Sequence, residues 1–393
     1  MQLTQKQEEG LKIALKRYKD KEKYVVIGGY AGVGKSELIK FIIAALKLGP
    51  GEVAYTAYTG KAAEVLRRKG NQGACTLHKL LYDYIPLPQG GFHKKMKTDL
   101  GVKVVVVDEV SMVPASMINE LLKFDVFCIF SGDPGQLPQI YKNESHTLLD
   151  HPHVFLDQIT RQAAESEIIT LSMKIREGQK IDYGRGKEIA VISKKDLNTG
   201  MLTWADIILC AKNATRHNLN NTLRELQGYD INDSPQIGEK LICLTNYWDC
   251  LNEEEDALVN GTLGTVTKIF SDVIALPKNI VTNKHLYPVY KINFKPEYSN
   301  SQFNLLKVDK QFLKEEKNSM DWKTSYQLGK RHMSHMVPKE LTYGYAITAH
   351  RAQGSEWDKV LIIEENFPFD REEHRQWLYT AVSRSSKKCV LVR

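Results

Sequence analysis

Residues 24–37, Tyr24-Val25-Val26-Ile27-Gly28-Gly29-Tyr30-Ala31-Gly32-Val33-Gly34-Lys35-Ser36-Glu37, run from an apolar strand through a glycine-rich turn into the start of an apolar helix. The segment from Gly29 to Ser36 fits GxxxxGK[ST], and the strand and helix around it are the context that makes this pattern a nucleoside-triphosphate cradle. Gly29, Gly32 and Gly34 let backbone N–H groups, including that of Val33, converge on phosphate oxygens. Lys35 can reach the β and γ oxygens, and the Ser36 hydroxyl can ligate Mg²⁺. The alternative is a glycine-rich turn with an incidental lysine.

Downstream, Val104 to Val107 are four consecutive β-branched residues, the pattern of a strand buried on both faces of a parallel sheet. This strand delivers Asp108 and Glu109 to its carboxyl end, where open α/β sheets bind ligands. Asp108 suits the Mg²⁺ shell, and Glu109 suits orienting and deprotonating a water that attacks the γ-phosphate. A strand can also simply end in charges, but beside the phosphate loop this pair points to hydrolysis.

A chain of 393 residues with 42% hydrophobic content has enough apolar surface for two or three domains. The six cysteines form no CxxC or Cys/His cluster, and Cys128, Cys210 and Cys389 lie in apolar strand-like runs. Reduced, buried thiols in the cytoplasm are therefore expected. The amino terminus has no apolar signal core and no apolar run is long enough to span a bilayer, so no membrane association is expected. Net charge is +7, and between Ala275 and Pro338 eleven Lys/Arg face five Asp/Glu, interleaved with aromatics that include Tyr287, Tyr290, Trp322 and Tyr326. That mixture suits single-stranded nucleic acid, whose bases stack and whose phosphates pair, although a solvated lysine-rich surface or a core role for the rings would also produce it.

Strand–helix alternation continues from Tyr24 to about His153, with Thr4 an N-cap, Gln7 at the third helical position, and Leu11, Ala14, Leu15 and Tyr18 the apolar stripe of the first helix. Such alternation predicts a doubly wound parallel α/β sheet. A second α/β unit is expected from Val154. Short alternating runs from about Asp233 to Pro338 predict a β-rich insertion in it, with α/β alternation resuming at Leu341.

The ordered set Leu3-Thr4-x-x-Gln7, GYAGVGKS, Tyr58-Thr59-Gly60-Lys61-Ala62-Ala63, Thr76-Leu77-His78, VVVVDEVS, GDPGQLPQI, LDQITRQ, TYGYAITAHRAQGSEW and WLYTAVSRSS resembles superfamily 1B helicases of the RecD-like group over nearly the whole chain. Ser383 departs from the family pattern by standing where a Thr is usual, and residues 275–338 match none of its motifs. The resemblance implies two RecA-like P-loop domains, the first over 1–80 and 100–153 and the second over 154–232 and 339–393. It also implies a small pin hairpin at 81–99 and an SH3-like insertion at 233–338. The activity implied is ATP- and Mg²⁺-dependent unwinding of DNA with 5′-to-3′ translocation on single strands. Single-stranded DNA and single-strand/duplex junctions would be its partners, together with replication or recombination proteins, and the chain would be monomeric. An RNA-directed helicase and, in a different class, a phosphate-loop kinase or nucleotide switch are the alternatives.

Residue by residue, Gln7 resembles the adenine-reading glutamine, with a capping-box role as the alternative. Gln136 resembles a γ-phosphate sensor, or else a plain turn residue. Arg161 and Arg384 look like arginine fingers acting across a domain cleft, or else members of surface ion pairs. Glu356, after Gly354, resembles the carboxylate that accepts from the ribose. Thr59, Lys61, Thr76, His78, Thr348 and His350 match strand-binding positions, where they would contact phosphates without reading sequence. A hairpin tipped by Gly90-Gly91 makes Phe92 the candidate wedge, or an aromatic folded back on its own hairpin.

Overall fold

A computed structural model of the protein describes all residues except 1–2, 87, 89–91, 138–145, 161–163, 232, 278–279, 281–283 and 332. The amino-terminal sheet has six strands, in the order Cys75–Thr76, Val53–Ala57, Val104–Asp108, Phe127–Gly132, Tyr24–Gly29, Val154–Leu156, and every neighbouring pair is parallel. The valine run shows why this sheet is covered on both sides. Val104 and Val106 join Ala14, Leu38 and Ile42 of the helices Gln5–Lys19 and Lys35–Ala45 in one core. Val105 and Val107 join Leu77, Met117 and Leu121 in the other. A period of two along the strand thus becomes two cores. The first helix begins with the capping box expected from Thr4 and Gln7.

The second sheet runs Ala346–Thr348, Ile207–Cys210, Trp357–Ile363, Ser385–Val392, Ile189–Ile192, Gly184–Arg185, parallel except for the last strand. Helices Glu167–Arg176 and Arg371–Val382 cover one face, and Asn213–Leu226 covers the other. A third sheet is antiparallel, in the order Phe303–Asp309, Leu286–Pro296, Leu263–Ala275, Lys240–Cys243, Leu341–Tyr343.

Two boundaries differ from expectation. Val154–Leu156 does not start the second unit; it pairs with Ile27 to Gly29 and closes the edge of the first sheet. Leu341–Tyr343 does not resume the second sheet; it pairs antiparallel with Leu241 to Cys243 in the insertion. A three-residue apolar run carries too little periodicity to say which sheet it will join.

Strands Tyr82–Pro86 and Phe92–Met96 form an antiparallel hairpin in which Phe92 lies opposite Pro86. Gly90 and Gly91 lie outside the described residues. Where the insertion leaves the second sheet, Arg224 and Glu239 are fully buried and joined by two hydrogen bonds of 2.8 and 3.2 Å. The cysteines are unpaired, with Cys128, Cys210 and Cys389 buried. Among the described residues no helix is long and apolar enough to cross a membrane.

Candidate nucleotide cleft and strand-binding face

The phosphate loop turns on two left-handed glycines, Gly32 (φ +75°) and Gly34 (φ +81°). At Gly34 a Cβ would stand 2.5 Å from Gln7 Nε2 as well as straining the backbone, so glycine is required twice over. Lys35 Nζ folds over the loop and donates to Gly29 O (2.7 Å) and Tyr30 O (2.9 Å). Gln7 is buried with both ends of its amide engaged. Its Oε1 accepts from Thr4 N at 2.9 Å, and its Nε2 donates to Gly34 O at 3.2 Å. It therefore serves the capping box while touching the loop.

Asp108 ends its strand, and Glu109 adopts the left-handed region at φ +50°. That conformation costs a non-glycine residue about 1–3 kcal/mol and is concentrated at functional sites. Burial, and then the Glu109 charge, push the Asp108 carboxyl above its usual range, against the pull of Lys35. Asp133 is likewise raised by burial. Gln136 is buried, and its Oε1 has no hydrogen-bond partner among the described residues.

From the second sheet, Arg384 points into the same space. Its Nη1 lies 3.8 Å from Glu109 Oε1, while Nε donates to Thr380 O (3.1 Å) and Nη2 to Ser383 Oγ (2.9 Å). Ser383 Oγ in turn donates to Thr380 O, so a serine hydroxyl is enough at this position. Gly354 (φ +69°) lets the sheets meet: a Cβ there would lie 3.1 Å from Met112 Sδ and 3.2 Å from Ala62 Cβ. Gly32, Gly34, Lys35, Ser36, Asp108, Glu109, Gln136, Gly354, Glu356 and Arg384 all line one cleft of about 430 Å³. Gly29 packs behind it, where a Cβ would collide with Leu156 O, and Val33 lies in the core beneath. Arg161 lies outside the described residues.

Several contacts across this cleft had not been assigned from sequence. Tyr379 Oη donates to Asp133 Oδ2 (2.5 Å) and accepts from Ala31 N (2.9 Å). Leu137 N donates to Thr380 Oγ1 (2.9 Å), and Gln353 Nε2 donates to Leu137 O (2.5 Å). Asp133, Tyr379 and Thr380 sit inside the recognised segments GDPGQLPQI and WLYTAVSRSS, so their position was visible although their partners were not.

The strand-binding candidates fall into three groups. Thr59 and Lys61 lie at the seam of the sheets. Thr59 Oγ1 caps Ala62 N at 3.1 Å, and Lys61 Nζ is 3.4 Å from Glu297 and above the Trp357 ring. Thr76 caps Lys79 N at 3.2 Å, and the buried His78 stacks on Trp248 of the insertion with centroids 3.3 Å apart. Burial holds the His78 imidazole neutral, with its pKa brought down to about 2. Thr348 is buried at a strand end, and burial also lowers His350. Phe92 is half-buried on the hairpin. Trp248 belongs to no recognised segment.

Residues 2–194 match the family model of an AAA domain, and residues 343–392 match that of the UvrD-like helicase C-terminal domain. The ATP-dependent RecD2 DNA helicase of Deinococcus radiodurans is 28% identical over 377 residues, covering 92% of this chain and 46% of the relative. The ATP-dependent DNA helicase dda of Enterobacteria phage T4 is 29% identical over 193 residues, covering 45% and 43%. The chain thus spans less than half the length of these two helicases in the matched regions. An uncharacterized protein of Acanthamoeba polyphaga mimivirus is 24% identical over 92% of this chain and 93% of its own length. The crystal structure of Pif1 helicase from Bacteroides in complex with ADP-AlF3 and ssDNA shares the fold, with a TM-score of 0.52 at 19% identity over 100% of this chain and 92% of that one.

Proposed function

We infer that the chain is a superfamily 1B helicase, an ATP-dependent DNA helicase that moves 5′ to 3′ on single-stranded DNA and unwinds duplexes. The observation that carries this is the meeting of Glu109 and Arg384 at 3.8 Å, which brings a hydrolytic carboxylate from one sheet against a guanidinium from the other. A nucleotide switch or kinase needs no such pairing between sheets. Turnover tied to motion does, because the cleft must close for chemistry and open for release.

In this reading Lys35 exchanges its carbonyl partners for phosphate oxygens. Glu109 orients the attacking water and takes its proton. Gln136 offers its Oε1, which has no partner among the described residues, to the same water, and Arg384 stabilises charge on the transferring phosphoryl group, the role that Arg161 would share. Ser36 and Asp108 would hold Mg²⁺, whose charge suits a buried carboxyl otherwise pushed towards its neutral form. Gln7, which donates to Gly34 O of the loop, would read the adenine, and Glu356 in the cleft lining would accept from the ribose.

The two parallel sheets form RecA-like domains, the first extending through Leu156. The antiparallel sheet, including Leu341–Tyr343, forms the SH3-like insertion, and the 82–96 hairpin is the pin. Thr59, Lys61, Thr76, His78, Thr348 and His350 mark the path of the strand, and single-strand/duplex junctions are the substrate. Buried, unpaired thiols suit a cytoplasmic monomer, with replication or recombination proteins as its associates.

The test is unwinding of duplexes carrying only a 5′ or only a 3′ tail, with ATPase stimulation compared between DNA and RNA. Unwinding confined to the 5′-tailed DNA duplex is expected. Unwinding from a 3′ tail reverses the direction, stronger stimulation by RNA moves the substrate class, and turnover indifferent to nucleic acid removes the helicase reading.

A further inference from the structure

The insertion carries a surface that neither the nucleotide cleft nor the strand path uses. Helix Trp322–Lys330 buries Thr324 and Leu328, four residues apart, with Leu328 entering a small core with Ile274, Tyr287 and Val289. At the same spacing it turns Trp322, Tyr326 and Lys330 outward. Trp322 is 72% exposed and Tyr326 is 56% exposed. Their ring centroids are 6.5 Å apart, and Lys330 Nζ stands 4.8 Å from the Tyr326 ring. Large aromatics rarely face water next to one another unless a partner uses them.

Charge identifies the partner. Lys323, Lys330 and Arg331 are exposed and form no ion pair among the described residues. The acidic residue at this end, Asp321, is occupied as the N-cap: Oδ1 accepts from Thr324 N at 3.0 Å, and Oδ2 accepts from Thr324 Oγ1 at 2.7 Å. Two accessible rings flanked by unpaired cations match unstacked bases and their phosphates. The side of a duplex presents no base faces to stack upon, so the match is to a single strand.

Position narrows it further. The helix packs on the Ser334–Met336 turn, that turn on strand Tyr247–Leu251, and that strand on the hairpin strand Phe92–Met96. The helix that carries the surface is therefore linked through two intervening elements to the hairpin proposed for strand separation. We propose that the Trp322–Tyr326–Lys330 face binds the displaced single strand at the junction, outside the translocation path. This rests on the helicase reading above.

The test compares a duplex bearing only the 5′ loading tail with a fork that also carries a 3′ tail on the complementary strand. Wild type should bind the fork about tenfold more tightly or better, the scale expected of base–aromatic stacking. The double variant W322A/Y326A should lose that preference while keeping its affinity for the 5′-tailed duplex and its DNA-stimulated ATPase, and W322F should retain it. A fork preference that survives in W322A/Y326A, or that wild type lacks, overturns the proposal. So does an equal loss on both substrates, or intact fork binding beside loss of a protein contact. Wild type that fails to unwind the 5′-tailed duplex overturns the helicase reading itself, a distinct result.

Discussion

Tyr379 of the second sheet's helix donates its hydroxyl hydrogen to Asp133 Oδ2 of the first sheet at 2.5 Å, and the Tyr379 hydroxyl oxygen accepts the Ala31 N–H of the glycine-rich loop at 2.9 Å. Burial raises the Tyr379 phenol, and the Asp133 charge raises it further, so the proton stays on tyrosine. One side chain therefore ties three parts together: the glycine-rich loop, the turn that leads to Gln136, and the helix Arg371–Val382 that runs towards Arg384. Movement of either sheet is felt at the other through this contact.

Tyr379→Phe removes the donor and leaves Asp133 with its Gly135 N–H contact. A hydrogen bond to a charged group contributes about 1.5–3 kcal/mol, so DNA-stimulated turnover should fall roughly tenfold or more, with basal turnover changing less. The ratio of stimulated to basal ATPase measures this. An unchanged ratio would reduce Tyr379 to packing.

Lys35→Ala should lower ATPase by about 100-fold or more, because it removes the cation that in the proposed mechanism leaves Gly29 O and Tyr30 O for the transferring charge. Glu109→Gln keeps the shape of the cleft but cannot take the water's proton, so it should bind ATP and hold it unhydrolysed. Filter retention of labelled ATP beside steady-state turnover separates the two, and near-normal turnover in either places the chemistry elsewhere.

Arg384→Ala and Arg161→Ala should lose DNA-stimulated ATPase while retaining most of their DNA affinity, since the proposed mechanism uses both guanidinium groups in the closed transition state. ATPase assays paired with a DNA-binding titration give the answer. Weakened DNA binding at unchanged turnover would make them strand contacts.

Phe92→Ala should preserve single-strand translocation and its ATPase yet sharply reduce unwinding of a 5′-tailed duplex, because the proposed wedge is an aromatic edge that would block re-stacking of the parting pair. Both activities are read in one preparation. Equal loss of the two indicates a folding or grip role for Phe92, and intact unwinding puts the wedge on another residue.

Glu239→Gln should destabilise the protein by about 3–5 kcal/mol, because it strands the fully buried Arg224 guanidinium where water cannot reach it. Thermal or urea unfolding should show the loss, and a change below 1 kcal/mol would mean that water enters to take the partner's place.

Much of this was legible beforehand for reasons that particular residues supply. Four β-branched valines in a row favour a strand covered on both faces, and the glycines of GxxxxGKS after an apolar strand supply the left-handed positions, Gly32 and Gly34, on which the loop turns. The first helix starts with the capping box that Thr4 and Gln7 predict. Where Val154–Leu156 and Leu341–Tyr343 would pair was not legible, since an edge strand's partner depends on which sheet has room for it. The stacking of His78 on Trp248 was equally hidden, for the two are far apart along the chain and share no motif.

The amino-acid sequence by itself determined the local features: which turn rests on left-handed glycines, which strand ends in carboxylates, which helix begins at Thr4. Those features follow from backbone sterics and periodicities contained within a few residues. Only the tertiary structure decided that Glu109 faces Arg384, that Tyr379 grips Asp133 and Ala31, and that Trp322 and Tyr326 are left to solvent. Each of these depends on how two separately folded surfaces meet, and contacts between residues hundreds of positions apart leave no periodic trace in the chain that makes them.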